Sequence, residues 1–278
     1  MEQLLDIQIP WEVRAGTLEE VPCLLCGGKG IPVGSVVINA VESAVRRCAQ
    51  DGLMWLSPRP DNAFYDELYG KHFYSSVCPE QYGYAQVHEE ERRREKAKKN
   101  WDDIERAAPR ALHRTGFLEI GCSTGEMLDE AVKRGWQTVV GNELSAVAAD
   151  RCAQKGHRVI QGDYSLIEIS SPFDLIFADN VIEHLKDPLS FARKMSSLLA
   201  KDGILCLRLP NTPREGPRLK LIDHTFHFNP TSLGALLLKG GLEVEKVIDS
   251  GVYRGTEGKT ILNMTVFSGH LNSYRSVK

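Results

Sequence analysis

The chain has 278 residues, room for one large domain or a full domain with a small appendage, and its 42% hydrophobic and 26% charged residues suit an ordinary globular protein. A net charge of −3 and a pI of about 6.3 give no electrostatic ground for a nucleic-acid or anionic-membrane partner and favour a small or neutral substrate. No apolar stretch nears the roughly 18 residues that span a bilayer.

The first residues, Met1 to Trp11, carry Glu2 and Asp6 without a basic start and are not read as a secretory signal. Seven cysteines are present, and Cys48, Cys78, Cys122, Cys152 and Cys206 have no close cysteine neighbour. That pattern points to a reducing cytoplasm rather than a disulfide framework. Residues 1 to about 80 hold Pro10, Pro22, Pro32, Pro58, Pro60 and Pro79, a high density of helix breakers. They are expected to be irregular, with short strands around Val36 to Ile38. Within them Cys23-Leu24-Leu25-Cys26-Gly27 has the spacing of a metal knuckle, and a second knuckle should follow it.

A helix is predicted over about 83 to 108. In it Glu89/Arg93, Glu90/Arg94 and Glu95/Lys99 stand four apart with the acid first, the favourable helical orientation. Tyr84, Val87, Trp101 and Ile104 form a thin apolar stripe. Acids nearly balance bases, so a solvated helix leading into the main domain is favoured over a basic partner-binding helix.

From 115 onward short apolar runs alternate with helical patterns. Gly116–Ile120, Thr138–Gly141, Val159–Ile160, Phe173–Ala178 and Ile204–Leu209 read as strands. Glu126–Arg134 reads as a helix capped by Gly135, and Ser145 caps a helix running to Gly156. Asp187-Pro188 opens a helix carrying Leu189, Ala192, Met195 and Leu199. A helix near Thr231–Lys239 and strands at Leu242–Ile248 and Ile261–Phe267 complete the chain. This alternation predicts an α/β fold, a parallel sheet with helices on both faces.

Between the first such strand and its helix lies Glu119-Ile120-Gly121-Cys122-Ser123-Thr124-Gly125. Glycines here permit a tight turn and close backbone approach to a ligand. A dinucleotide loop needs three glycines with five residues from first to last, whereas Gly121 and Gly125 are four apart with Ser123 between them. A pyrophosphate cradle is therefore disfavoured.

The loop resembles the glycine-rich loop of class I S-adenosylmethionine-dependent methyltransferases, and the resemblance runs over about 115 to 270. It implies a Rossmann-like, doubly wound, mostly parallel seven-stranded sheet. Glu119 matches the acid that orients the loop and the methionine amino group, and Gly121, Cys122, Ser123 and Gly125 match the loop itself. Glu143, with Leu144 beside it, lies past the second strand, where the family's acid accepts the ribose hydroxyls. Asp163 and Tyr164 follow the third strand, where the family's acid meets the adenine amino group. Asp179-Asn180 and Val181-Ile182-Glu183-His184-Leu185 match the exit of the fourth strand, with Asn180 facing the cofactor. Taken singly, Glu143 reads equally as a helix-start charge and Asp163 as a turn former. In the N-terminal stretch, Arg47-Cys48-Ala49-Gln50-Asp51-Gly52 and the following Trp55-Leu56-Ser57-Pro58 resemble the second half of small zinc modules in methyltransferases of sugar and natural-product pathways. The implied ligands are Cys23, Cys26, Cys48 and Asp51, with Asp51 in place of the usual last cysteine. The alternative is a zinc-free relic of that module; a bound zinc would be structural.

Methyl transfer from a sulfonium needs alignment, exclusion of water and, for a hydroxyl acceptor, a base. Glu183, His184 and His227 are the catalytic candidates, with His224 behind them, and a structural histidine is the alternative for each. His224 and His227 lie in a segment resembling one that borders the acceptor pocket in related enzymes. The expected organisation is a zinc-ribbon-like module over 1–80, a helical linker or lid over 81–114 and a cofactor-binding domain over 115–278. The expected acceptor is a small-molecule hydroxyl, on a sugar, nucleotide-sugar or related metabolite, with no nucleic-acid or membrane partner and a cytoplasmic location. A methyltransferase-fold scaffold without turnover and a nucleotide-dependent oxidoreductase are the other readings.

Overall fold

The computed structural model describes residues 3–7, 18–38, 41–61, 63–64, 87–110, 112–212, 224–254 and 260–271. The N-terminal stretch, expected to be irregular, is built from strands: β1 (Gln3–Ile7), β2 (Leu18–Glu19), β3 (Ile31–Ile38), β4 (Val41–Arg47), β5 (Met54–Leu56) and β6 (Arg59–Pro60). Proline density misled because Pro32 and Pro60 sit where a missing N–H is tolerated. Pro32 is the second residue of β3, at a register irregularity between Pro32 and Gly34, and Pro60 closes the two-residue β6. Pro10, Cys78 and Pro79 lie outside the described residues.

The long helix α1 (Val87–Ala107) follows, as the charge pattern predicts, but its ion pairs differ from the expected set. Glu90–Arg94 forms at 3.3 Å. Lys99 turns instead to Asp103 at 2.8 Å, and Arg93 leaves the helix surface altogether. Ala97, Trp101 and Ile104 are buried. The Trp101 ring packs 4.8 Å from Phe117 and 5.6 Å from Trp136, and its Nε1 donates to the Met127 carbonyl at 3.0 Å. Tyr84, placed on the same stripe, lies outside the described residues.

Then β7 (Gly116–Ile120), α2 (Glu126–Lys133), β8 (Thr138–Glu143), α3 (Ala146–Gln154), β9 (Arg158–Gln161), β10 (Phe173–Asp179), α4 (Pro188–Leu198), β11 (Leu199–Pro210), β12 (Phe226–His227), α5 (Pro230–Lys239), β13 (Leu242–Arg254) and β14 (Thr260–His270) complete the fold. Seven strands form one sheet in the order β13-β14-β11-β10-β7-β8-β9. β14 pairs antiparallel with β11 and β13, and every pair from β11 to β9 is parallel. This is the expected α/β, mostly parallel doubly wound sheet. The caps behave as their chemistry requires: Asp187 and Asn229 accept from Ser190 and Ser232 N–H, each with proline at the start of the helix.

Covering the sheet on both faces explains its near-continuous apolar strands. Along β10, Leu175 and Phe177 enter the core under α1, whereas Ile176 and Ala178 enter the opposite core. In β11, Ile204 and Cys206 alternate with Leu205 and Leu207 in the same way. The second core also holds Leu25, Leu53 and Trp55, so the N-terminal sheet shares it. A further link is main-chain: β12 pairs antiparallel with β5, giving a five-stranded sheet of order β1-β3-β4-β5-β12. No described helix is long and apolar enough to cross a membrane.

Candidate active site

Strand order reverses between β7 and β10, and in open α/β sheets the crevice at the carboxyl ends of such neighbours receives ligands. From β7 the chain enters α2 through residues 121–125. Gly121, Ser123 and Gly125 adopt φ of +72°, +48° and +87°. Gly121 and Cys122 both donate to the Asn142 carbonyl, at 2.8 and 3.0 Å, tying the loop to β8. A Cβ on Gly121 would stand 2.9 Å from Val181 Cγ2, and one on Gly125 only 2.5 Å from Cys152 Sγ. Glycine is required at both positions by conformation and by space. Ser123 bears the left-handed cost of about 1–2 kcal/mol that glycine would avoid.

The Ser123 N–H is held by Glu143 Oε2 at 2.8 Å, and Glu143 Oε1 accepts from the Ser145 N–H at 2.8 Å. Glu143 is buried. Glu119, 6% exposed, has an Oε2 with no hydrogen-bond partner among the described residues. Burial, then the nearby charges led by Glu126, hold its carboxyl well above the ordinary range. Asp163 caps the short turn Tyr164–Leu166 through Ser165 N–H at 2.9 Å and is exposed. The Tyr164 ring meets Phe191 edge-on at 5.2 Å, and burial pushes its phenol up to about 12. Leu144, also beside β8, is exposed. Asn180, at φ +54°, donates its N–H to the Arg208 carbonyl at 2.8 Å and its amide to Asp179 Oδ1 at 2.8 Å.

Sequence reasoning missed the part played by α1. Arg93 Nε lies 3.5 Å from Glu126 Oε1, at the start of α2, and Lys96 Nζ lies 2.9 Å from Asp179 Oδ2, at the end of β10. Asn100, one turn on, bonds Arg208. Arg93, Ala97, Asn100 and Ile104 recur at helical spacing, the one signal that separates this inward row from the solvated charges around it. Asn142 was also missed: its amide donates to the Ile160 and Gly162 carbonyls at 2.9 Å each, fixing the β9 exit.

The catalytic candidates do come together. Residues 182–184 form a short 3₁₀ turn after β10. The His184 and His224 rings stand 4.6 Å apart at right angles, and His224 lies 5.7 Å from His227. Glu183, His184 and His224 have ligand atoms all within 4.8 Å of one another. Thr225 Oγ1, 3.0 Å from the Glu183 carbonyl and 2.7 Å from that of Leu185, clamps the 224–227 segment onto this turn. His227 is buried, its Nε2 has no partner among the described residues, and burial followed by the charge of His184 pushes its imidazole down to about 3. It is therefore neutral near pH 7.

In the N-terminal module the two half-sites share one hydrogen-bond pattern. Cys23 N–H bonds Gly28 O and Gly27 N–H bonds Cys23 O, both at 2.8 Å. Cys48 N–H bonds Leu53 O at 2.8 Å, and Gly52 N–H bonds Cys48 O at 3.1 Å. Gly27 and Gly52 have φ of +72° and +76°. Asp51 thus occupies in the second turn the place Cys26 occupies in the first. The thiols of Cys23, Cys26 and Cys48 lie within 4.8 Å of one another. Cys26 and Cys48 Sγ are 3.8 Å apart, and Cys48 Sγ is 3.3 Å from Asp51 Oδ2. Burial pushes the Cys23 thiol up to about 12, whereas the Gly28 N–H lowers that of Cys26.

A family model described as a methyltransferase domain matches residues 88–247, more than half of the chain. The chain belongs to the methyltransferase domain family. A ubiquinone biosynthesis O-methyltransferase of Caulobacter sp. (strain K31) is 31% identical over 103 residues, 34% of this chain and 40% of that protein. A trans-aconitate 2-methyltransferase of Rhizobium etli is 25% identical over 121 residues, 42% of this chain and 47% of that one. The first of these relatives is thus matched over about two fifths of its length. Among solved structures, an S-adenosylmethionine-dependent methyltransferase from Mesorhizobium loti has a TM-score of 0.47 and 18% identity, covering 61% of this chain and 96% of that one. The methyltransferase match begins within α1, so the inward row of that helix falls inside it.

Proposed function

We propose that this methyltransferase-family chain transfers a methyl group from S-adenosylmethionine to a hydroxyl of a small molecule. The observation that carries the reading is the set of acids at three adjacent strand ends around loop 121–125: Glu119, Glu143 and Asp163. Glu119 fits the cofactor's amino group: a buried carboxylate with an unsatisfied oxygen gains most from a cation beside it. Glu143, held by two backbone donors at the end of β8, is the acid we assign to the ribose hydroxyls. We assign Asp163 and Tyr164, with exposed Leu144 and Leu166 near them in sequence, to the adenine ring, and Asn180 to the cofactor on the β10 side. The four-residue glycine spacing argues against a dinucleotide and hence against an oxidoreductase.

When bound, the cofactor supplies an electrophilic methyl group on a sulfonium. The chain's own residues orient and desolvate the acceptor. His227, neutral and with a buried Nε2 that has no partner among the described residues, takes a hydrogen bond from the hydroxyl, and Glu183 and half-buried His184 are the further candidates at this end of the site. Relatives named as O-methyltransferases support an oxygen acceptor, and the net charge of −3 supports a small-molecule partner over nucleic acid. A sugar, nucleotide-sugar or related metabolite is the acceptor class we favour, and free cysteines throughout the described residues favour a cytoplasmic setting. Calorimetry with S-adenosylmethionine tests the cofactor: absence of binding removes the proposal, and NAD binding in its place revives the oxidoreductase. A bound cofactor with no turnover across an acceptor screen would point to a scaffold.

We further propose a structural zinc on Cys23, Cys26, Cys48 and Asp51. A tetrahedral zinc with bonds of about 2.3 Å to sulfur and 2.0 Å to oxygen sets sulfur–sulfur edges of about 3.8 Å and sulfur–oxygen edges of about 3.5 Å. The Cys26–Cys48 and Cys48–Asp51 separations of 3.8 and 3.3 Å fit those edges. Metal analysis of the purified chain should find zinc, and less than about a tenth of an equivalent would end this reading.

A further inference from the structure

We infer that Glu183, His184 and His224 form a second metal site, which holds a first-row divalent cation against the acceptor. It rests on the acceptor pocket assigned above and is separate from the cysteine knuckles. The donor set is two imidazoles and one carboxylate, a combination suited to Mn, Fe, Co or Zn that leaves coordination positions open. The His184 and His224 centroids are 4.6 Å apart with perpendicular planes. The donor atoms lie within 4.8 Å of each other, so closing on an ion requires movements of about 1 Å.

The surroundings suit such a site. Glu183 is 2% and His224 5% exposed, so a carboxylate and an imidazole sit together away from bulk water. His184 is only half-buried and gives an entry path. The Thr225 clamp holds the two histidines together although forty residues separate them in sequence.

The open positions select the acceptor class: a molecule with two neighbouring oxygens, a vicinal diol or an α-hydroxy carbonyl, would chelate the ion. Bound so, its hydroxyl becomes more acidic and gives its proton to water. The oxygen then forms its bond to the methyl carbon as the carbon–sulfur bond breaks, and the sulfonium sulfur keeps the electron pair and leaves as a neutral thioether.

The test is cobalt titration of the full chain, followed by absorption. Cobalt on the knuckle gives thiolate charge-transfer bands in the near ultraviolet, whereas cobalt on a histidine–carboxylate site gives only weak visible bands. We expect a second equivalent of the latter kind in the wild type, weakened at least tenfold in Glu183→Gln and in His184→Asn. Each variant's circular dichroism without metal must match the wild type. Electron-spin-echo spectra of the manganese-loaded protein, read for two imidazole nitrogens, give a check that does not depend on the variants. Cobalt confined to thiolate bands, or a second equivalent that survives both substitutions, overturns the inference. Cofactor binding without a second cation would leave the proposed methyl transfer standing and this site refuted. A second cation without cofactor binding would do the reverse.

Discussion

Glu143→Gln separates the brace of the cofactor loop from the cofactor contact. In the wild type one carboxylate receives two backbone N–H groups, from Ser123 and Ser145, at 2.8 Å each, in a buried setting. The amide of glutamine keeps the shape but offers one oxygen, so one N–H must face an NH₂ group, donor to donor. A buried donor left without a partner costs about 1–3 kcal/mol, and loss of the charge weakens the surviving bond as well. Urea denaturation of the cofactor-free protein should therefore show a loss of about 2 kcal/mol with an unchanged m-value. Calorimetry should show S-adenosylmethionine bound more weakly by a further 1–3 kcal/mol, roughly 5- to 150-fold, from ribose hydroxyls that lose their acceptor. Unchanged stability would refute the brace. Lowered stability with unchanged affinity would leave Glu143 as a loop support only.

Other substitutions probe separate contacts. Glu119→Gln should raise the stability of the cofactor-free protein at neutral pH: the buried acid binds its proton more tightly folded than unfolded, so the wild type loses stability as pH rises above about 4.3 toward the raised value, and the variant does not. Parallel stability–pH curves for the two proteins would contradict this, and the same variant should bind S-adenosylmethionine more weakly. Trp101→Ala removes the ring that sits between Phe117 and Trp136 and should cost about 3–5 kcal/mol in chemical denaturation; a loss below about 1 kcal/mol would show that α1 is not anchored there. Gly121→Ala sets a Cβ against Val181 in a left-handed backbone and should cost about 2–4 kcal/mol, read as a lowered midpoint or, if the loop yields, as lost cofactor affinity.

The strand-end acids are legible in the sequence because each belongs to a local pattern: an apolar run, then Glu143 or Asp163, then a helix-starting turn. That the Glu143 oxygens already hold Ser123 and Ser145 is not legible there, since a loop's hydrogen bonds depend on its φ values. Arg93 and Lys96 were hidden for a different reason. They sit in a run of eleven residues dense in charges of both signs, and only the three-dimensional docking of α1 shows which of them face Glu126 and Asp179. The N-terminal strands were lost to an argument about helix: prolines forbid helices, and at edges and bulges they still permit strands. For His184 and His224 the resemblance set both near the acceptor, but the 4.6 Å contact of their rings depends on the Thr225 clamp and is not legible in the sequence.

The pairing of β5 with β12 has a consequence for how the chain reaches this state. Asp51, at the end of the second knuckle, accepts a hydrogen bond from Asn229, 178 residues later, and the β5 edge is closed only when Phe226 and His227 arrive beside it. As the polypeptide emerges from the ribosome, the N-terminal sheet therefore waits, with one row of N–H and C=O groups open, until nearly the entire methyltransferase domain has been made. Contacts so distant in sequence form late and slowly. A destabilised knuckle would lengthen that interval, and its damage would appear as aggregation during expression rather than as lost affinity in the finished protein.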